Sequence, residues 1–544
     1  MVMVSTKLSD EYWESFEVHS DDVEYLYNTL LERETPLTTE ELITSLVEER
    51  IRREMLALEK QRSASGDPYI PKETYTVGQK LVFPAYNWQS GSVVDVRPGK
   101  NPGIGTFDVI QVLFEHGEKR QFAAGLVEHR LNQPIQAQSE SSDLDTLAIL
   151  DTYGEGLKVV LEDELSSNPD FVRIAGRWFP RALLVDVNLG HLNLAEAVLD
   201  MSGGGPISTT ELIEQIELKA DVNPKLIEFS LDLALQEDQR FDEVGPAGKV
   251  LWYLQRLEPP EVLEPPLYLR YPGIEYDRSL LSEDMLTLEN SLGDELSPIS
   301  TMQPGQPEVL VNLIYPHWRS GTLPLSIRLR HLFPTAYEAP RIRFMLVDGE
   351  SGEKFPGWVV PEKRYVYGLR DWYNKQGLVP GSQVRVRRGD QPGEVIIDAN
   401  ARRSSREWVR TVLVGSDGGL VFAMLKQVIN AVFDERMAIA VPDTEAVDQV
   451  WTRMHKERPP FEKTVVNIVR ELAKLNPQSH VHASELYAAV NVIRRCPPGP
   501  LLALLASQPW FVHVGDLHYR FNDSEYTQLP FQSAGNLYGR KRTT

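Results

Sequence analysis

Three stretches of this chain repeat one spacing of apolar residues. Leu165, Phe171 and Ile174 stand six and three residues apart, as do Leu235, Phe241 and Val244, and Leu505, Phe511 and Val514. Glycine follows at once in the last two, as Gly245 and Gly515. Each Leu closes an apolar run of helical period, and each Phe opens a short alternating stretch: FVRIAGRWF, FDEVGPAGKVLWYL and FVHVGDLHYRF. A period of 3.6 giving way to a period of 2 reads as a helix running into a β-hairpin. The front half recurs too. Residues 195–216 and 465–490 both read as helix, polar loop, Ser/Thr cap and a helix opening with Glu-Leu (Glu211-Leu212, Glu485-Leu486). PLTTEEL (36–42) aligns without gaps with PISTTEL (206–212). The pattern predicts complete units at 190–256 and 461–523, a partial one at 144–186 holding only the last helix and hairpin, and a further front half in the N-terminal helices.

These units resemble the HARE-HTH winged helix, a family represented in the delta subunit of bacterial RNA polymerase and in some restriction and chromatin proteins. The resemblance covers roughly 180 residues and implies a winged-helix fold that binds DNA or transcription machinery. It brings no catalytic residue with it. A recognition helix in a major groove normally carries Arg or Lys. Here residues 223–240 offer Lys225 and Arg240 against Glu228, Asp232, Glu237 and Asp238, and PPGPLLALLASQPW carries no charge, with only Arg494 and Arg495 before it. Phosphates would repel the first and gain nothing from the second. A protein surface, or another copy of the chain, is the expected partner of these helices.

At 544 residues the chain has room for about three to five domains. Residues 1–60 hold 15 Asp+Glu against 6 Lys+Arg and read as an acidic helical segment. Residues 61–72 and 137–143 are linkers by composition. Between them, 73–132 holds short β-rich runs separated by Gly, Pro and Asn, the pattern of a small barrel that resembles the SH3/Tudor or KOW kind. Its glycine-rich stretch at 99–105 has no Gly-Lys-Ser/Thr after it and reads as a hairpin loop, not a phosphate cradle. Residues 257–310 are acidic and Pro-rich, and LEPPEVLEPP reads as an extended spacer. The region 413–460 reads as a helical connector, and 524–544 as a tail. The expected fold class is multidomain α+β, winged-helix units combined with small β-barrels.

The total charge of −22 hides a segregation. Residues 316–410 hold 17 Lys+Arg and 10 Asp+Glu, net +7, which leaves −29 for the rest. Within this Arg-rich region (311–412), three predicted strands carry Arg-x-Arg: Arg328/Arg330, Arg341/Arg343 and Arg385/Arg387. Alternation along a strand would put each pair on the solvent face. Arg364, Arg388, Arg402 and Arg403 lie nearby, followed by Arg406. Guanidinium suits bidentate contact with phosphate and guanine. Trp358 and Trp372 could stack on bases or simply pack. The stretch from Asp348-Gly349 through Gly357-Trp358, Tyr367-Gly368-Leu369, Trp372-Tyr373 and Pro380-Gly381 resembles the plant B-three DNA-binding pseudobarrel and related effector-recognition domains of restriction endonucleases. The resemblance implies a DNA contact through two β arms.

No HExxH, Cys-x2-Cys, Gly-x-Ser-x-Gly or Walker pattern occurs, so neither a catalytic residue, a metal nor a cofactor is expected. The single cysteine, Cys496, precedes two prolines and reads as structural. One cysteine fits a reducing compartment. The acidic N-terminus is not a signal peptide, and no apolar run is long enough for a membrane span, so a cytoplasmic protein is expected. The function expected is that of a non-enzymatic, transcription-associated DNA-binding protein. Its Arg-rich barrel would hold nucleic acid, and its acidic winged helices would hold a partner such as RNA polymerase. Two alternatives fit the same features: an interaction scaffold without nucleic acid, and the recognition component of a restriction or defence system.

Overall fold

A computed structural model of the chain describes residues 8–528 apart from 9, 65–66, 84–85, 87–88, 102–104, 115–116, 133–144, 219–220, 299–305, 392, 400 and 417. The expected linker at 137–143 and the tail beyond 528 lie outside the described residues. The protein is a multidomain α+β chain with several separate sheets. Residues 1–186 with 219–230 form one compact unit, and 187–218 with 231–544 the other.

In the first unit the two halves expected as separate pieces form one body. Helices Ser20–Arg33 and Thr39–Ala64 belong with helix Thr146–Ser167 and the hairpin Phe171–Ile174/Arg177–Pro180. The link is a short strand, Leu37–Thr38, which pairs with the hairpin as Leu37↔Trp178 and Thr38↔Arg177. The N-terminal segment is thus the missing front half of 144–186, and the expectation of two independent fragments is corrected. A five-stranded sheet running from Asp67–Pro68 to Lys119–Ala124 is inserted between them, with its strands in sequential order. Tyr69, Phe83 and Phe122 stack in its core beside buried Ile110 and Val112. The strands that flank the glycine-rich stretch at 99–105 pair up to Pro98↔Asp108, and residues 102–104 within it lie outside the described residues.

The same topology recurs twice in the second unit. Strand Ile207–Ser208 pairs with Leu251–Leu254 through Ile207↔Trp252, and strand His480–His482 pairs with His518–Phe521 through Val481↔Tyr519. All three second helices open with a capping box: Thr38 with Glu41, Ser208 with Glu211 and, in place of the expected Ser/Thr cap, His482 with Glu485. Two orphan N–H groups are satisfied at each. The repeated Leu and Phe are buried in every copy. The third copy departs at Val514, which is 38% exposed, because the strand shifts register between His513 and Gly515.

Two other expectations fail. Within 257–310, residues 257–298 are not a solvated spacer. Val262 of helix Pro260–Leu263, Leu281, and Met285 of helix Glu283–Leu292 pack into cores, while Asp294 and Glu295 are buried against Arg495. Apolar residues and a buried cation hold down a segment whose composition alone reads as solvated. Nor is 413–460 helical throughout. Strands Ala401–Val414 and Leu420–Ala431 form a long hairpin, and helix begins only at Thr444–Glu457. The hairpin is buried on one face at one end (Val412, Phe422) and on the other face at the other end (Val409, Ile429). That switch erases the period-2 signal.

The Arg-rich region forms a seven-stranded mixed sheet that begins at Glu308–Asn312. All seven strands contribute to one core around Trp372 and Tyr373 of helix Arg370–Gln376, so the sheet curls into a half-barrel.

Candidate nucleic-acid interface

The expected Arg surface comes apart into three groups. Arg328 and Arg330 are not on a strand. They sit in a turn that runs into the 3-10 helix Arg330–Leu332, with Leu329 buried between them. Arg328 donates to the Ser291 carbonyl at 3.2 Å. Arg364 has a positive φ of 59° and donates to the Glu295 carbonyl at 3.1 Å. These contacts anchor loops to the 283–297 segment.

Arg341 and Arg343 are where alternation puts them, at strand Ile342–Asp348, but that part of the outer face is covered. Arg341 pairs with Asp242 and lies 2.7 Å from a Glu258 carboxylate oxygen, an ion contact without hydrogen-bond alignment. Burial pulls the Arg341 guanidinium down and pushes the Glu258 carboxyl up. Their mutual attraction opposes both effects. Arg343 lies over the Tyr253 ring at 5.8 Å, and its backbone N–H donates to the Val244 carbonyl at 2.8 Å. Trp358, 4% exposed, meets the same Tyr253 ring edge-on. The hairpin of the second repeat is therefore seated on this face and covers most of both arginines. Trp372 is buried inside the half-barrel. Neither tryptophan is placed to stack on a base.

The third group remains open. On strand Gln383–Arg388, Arg385 and Arg387 are 37% and 41% exposed on the outer face, with Leu310 exposed beside them. Their nearest carboxylates are distant, Glu308 at 4.0 Å from Arg385 and Asp398 at 3.7 Å from Arg387. Arg388 donates to the His331 carbonyl next to exposed Arg330 and has no carboxylate partner among the described residues. Arg402 and Arg403 fall on strand Ala401–Val414, and their side chains lie outside the described residues.

The same strand continues into a surface the Arg-x-Arg pattern does not mark. Arg406 and Trp408 stand on one face of the long hairpin, opposite Val428 and Lys426. Trp408 is 62% exposed, and the Lys426 ammonium lies 5.3 Å from its ring centroid. Arg406 makes no ion pair among the described residues. The base of this hairpin is tied to the Arg385 strand, since the Gln383 N–H donates to the Val432 carbonyl at 2.9 Å. The alternation Arg406-Glu407-Trp408-Val409-Arg410 was the available signal.

A metal fits poorly. Among the described residues His482, Asp516 and His518 bring ligand atoms within 4.8 Å of one another. Arg436 already fills the gap, 3.0 Å from His482 Nε2 and 3.4 Å from Asp516 Oδ2. A bound cation would have to displace that guanidinium. Cys496 is buried, with its thiol pushed well up by burial, which leaves it inert. None of the family models, curated proteins or solved structures compared with the chain matches it.

Proposed function

We propose that the chain is a non-enzymatic DNA-binding protein associated with transcription. Its nucleic-acid contact is the open part of the half-barrel, Arg385, Arg387 and Arg388, continued by Arg406, Trp408 and Lys426 on the hairpin. The observation that carries this reading is the weak internal pairing of those cations, while Arg341 and Arg343 are engaged inside the protein. An exposed aromatic ring beside a cation also suits base stacking. In this reading the half-barrel is the B-three-like pseudobarrel and the inserted five-stranded sheet is a small SH3/Tudor-like barrel. The three helix–hairpin bodies are then winged helices of the HARE-HTH type that hold a protein partner such as RNA polymerase. The low basic content of their third helices supports a protein ligand over DNA.

The test is fluorescence anisotropy of the full chain with random duplex DNA at several salt concentrations. About four phosphate contacts predict a log–log slope near −3.5. Binding that ignores salt would refute the Arg face as its source. The scaffold reading predicts no DNA binding at low salt and capture of an acidic protein by the same arginines.

A further inference from the structure

A cavity of about 230 Å³ lies beside helix Thr444–Glu457, walled on one side by residues 270–273 and on another by residues 493–495. Trp451, Met454 and Ile493 make its apolar surface. Arg270, His455, Arg458 and Arg494 also line it, and no Asp or Glu does. Arg495 lines it as well, fully buried, with its charge met by Asp294 and Glu295 and its Nε–H making no hydrogen bond.

The last turn of a helix accepts cations in any case, which accounts for His455 and Arg458 by itself. Arg494 is different. It is half-buried against the Phe461 ring at 5.4 Å, and its side chain's one hydrogen bond among the described residues runs from Nη1 to the Pro459 carbonyl at 2.7 Å. A guanidinium has five N–H donors. Arg494's unbonded donors are not sealed off from solvent, so they are open to an anion that enters the cavity. Arg458 likewise has no side-chain partner among the described residues. The apolar wall needs a complementary apolar body. A cavity of about 150 Å³ holds benzene, so this one holds about nine to twelve non-hydrogen atoms.

We propose that this cavity is a binding site for a small organic anion, an aromatic ring carrying a phosphate or carboxylate, with Arg458 and Arg494 on the anionic group and Trp451, Met454 and Ile493 against the ring. The site shares no residue with the DNA contact proposed above. It is tested with the full chain by saturation-transfer NMR and thermal unfolding, using phenyl phosphate, benzoate, inorganic phosphate and benzyl alcohol. Saturable binding of phenyl phosphate or benzoate is expected, and the tighter of the two identifies the anionic group. Inorganic phosphate and benzyl alcohol should each bind at least tenfold more weakly. Arg458→Gln, which removes no internal bond, and Arg494→Met should each weaken binding about tenfold or more. The proposal is overturned by absence of saturable binding for both aryl anions, by equal binding of inorganic phosphate, or by unchanged affinity in both variants. Displacement of the probe by duplex DNA would overturn it too, since the cavity would then belong to a nucleic-acid surface.

Discussion

The Trp178 indole N–H donates to the Thr39 hydroxyl at 3.1 Å across 139 residues of chain. That hydroxyl in turn donates a hydrogen bond to the Glu162 carboxylate at 2.9 Å. The second repeat copies the arrangement, with Trp252 donating to Thr209 at 3.2 Å and to Asp232 at 2.9 Å. Thr39 and Thr209 are the aligned threonines of PLTTEEL and PISTTEL. One buried indole therefore fastens the hairpin to the start of the second helix in both copies, even where a whole sheet is inserted between them.

Thr39→Val keeps the volume and removes the acceptor. It strands a buried Trp178 N–H, which costs about 1–3 kcal/mol. Urea unfolding of the full chain should show that loss in the variant. An unchanged transition would mean the indole bond does not hold the two halves together.

Arg495 is expected to be the costliest single side chain to remove. It is 1% exposed and bonded to both Asp294 and Glu295, and Glu295 in turn meets His317 at 3.1 Å. Arg495→Met leaves two buried carboxylates without their cation, a loss of about 3–5 kcal/mol. Replacing Arg495, Asp294 and Glu295 together by apolar residues should recover most of it. A single variant as stable as the parent would show that the 283–297 segment is held by packing alone.

His482 makes the third repeat acid-sensitive. Burial, then the Arg436 guanidinium, then His518, lower its pKa to about 4. The unfolded ring titrates near 6.5, so between about 6.5 and 4 the unfolded chain holds the extra proton. Stability is therefore full above pH 6.5 and falls as the pH drops through that window, by at most about 3 kcal/mol. His482→Ser puts in the capping residue of the second repeat and should flatten the profile in thermal unfolding scans from pH 7 to 4. A parallel profile in the variant would remove His482 as the cause.

Much of this fold is legible in the sequence because it is local. The Leu–Phe spacing, the capping Thr38 and Ser208 of the first two repeats and the switch of period are all local signals, whereas the His482 cap of the third repeat is not one that residue type marks. What joins residues 20–64 to 146–180 is not local, since the pairing Leu37↔Trp178 leaves no mark on either stretch alone. Arg341 and Arg343 fail for a related reason. Alternation gives the face of the sheet, and it cannot give what covers that face, here Asp242, Val244 and Tyr253. The long hairpin escapes because its buried side changes along its length, so neither helical nor strand period dominates.

The most direct test of the nucleic-acid claim is charge reversal at the open arginines. Among the described residues, the variant Arg385→Glu/Arg387→Glu/Arg388→Glu breaks long carboxylate contacts and the two hydrogen bonds from Arg388 to the His331 carbonyl, so it should fold as the parent does. Anisotropy of the full chain with duplex DNA at low salt should show its affinity fall at least a hundredfold, while Arg341→Lys, changed inside the covered face, binds as the parent does. Undiminished affinity in the triple variant would contradict the account.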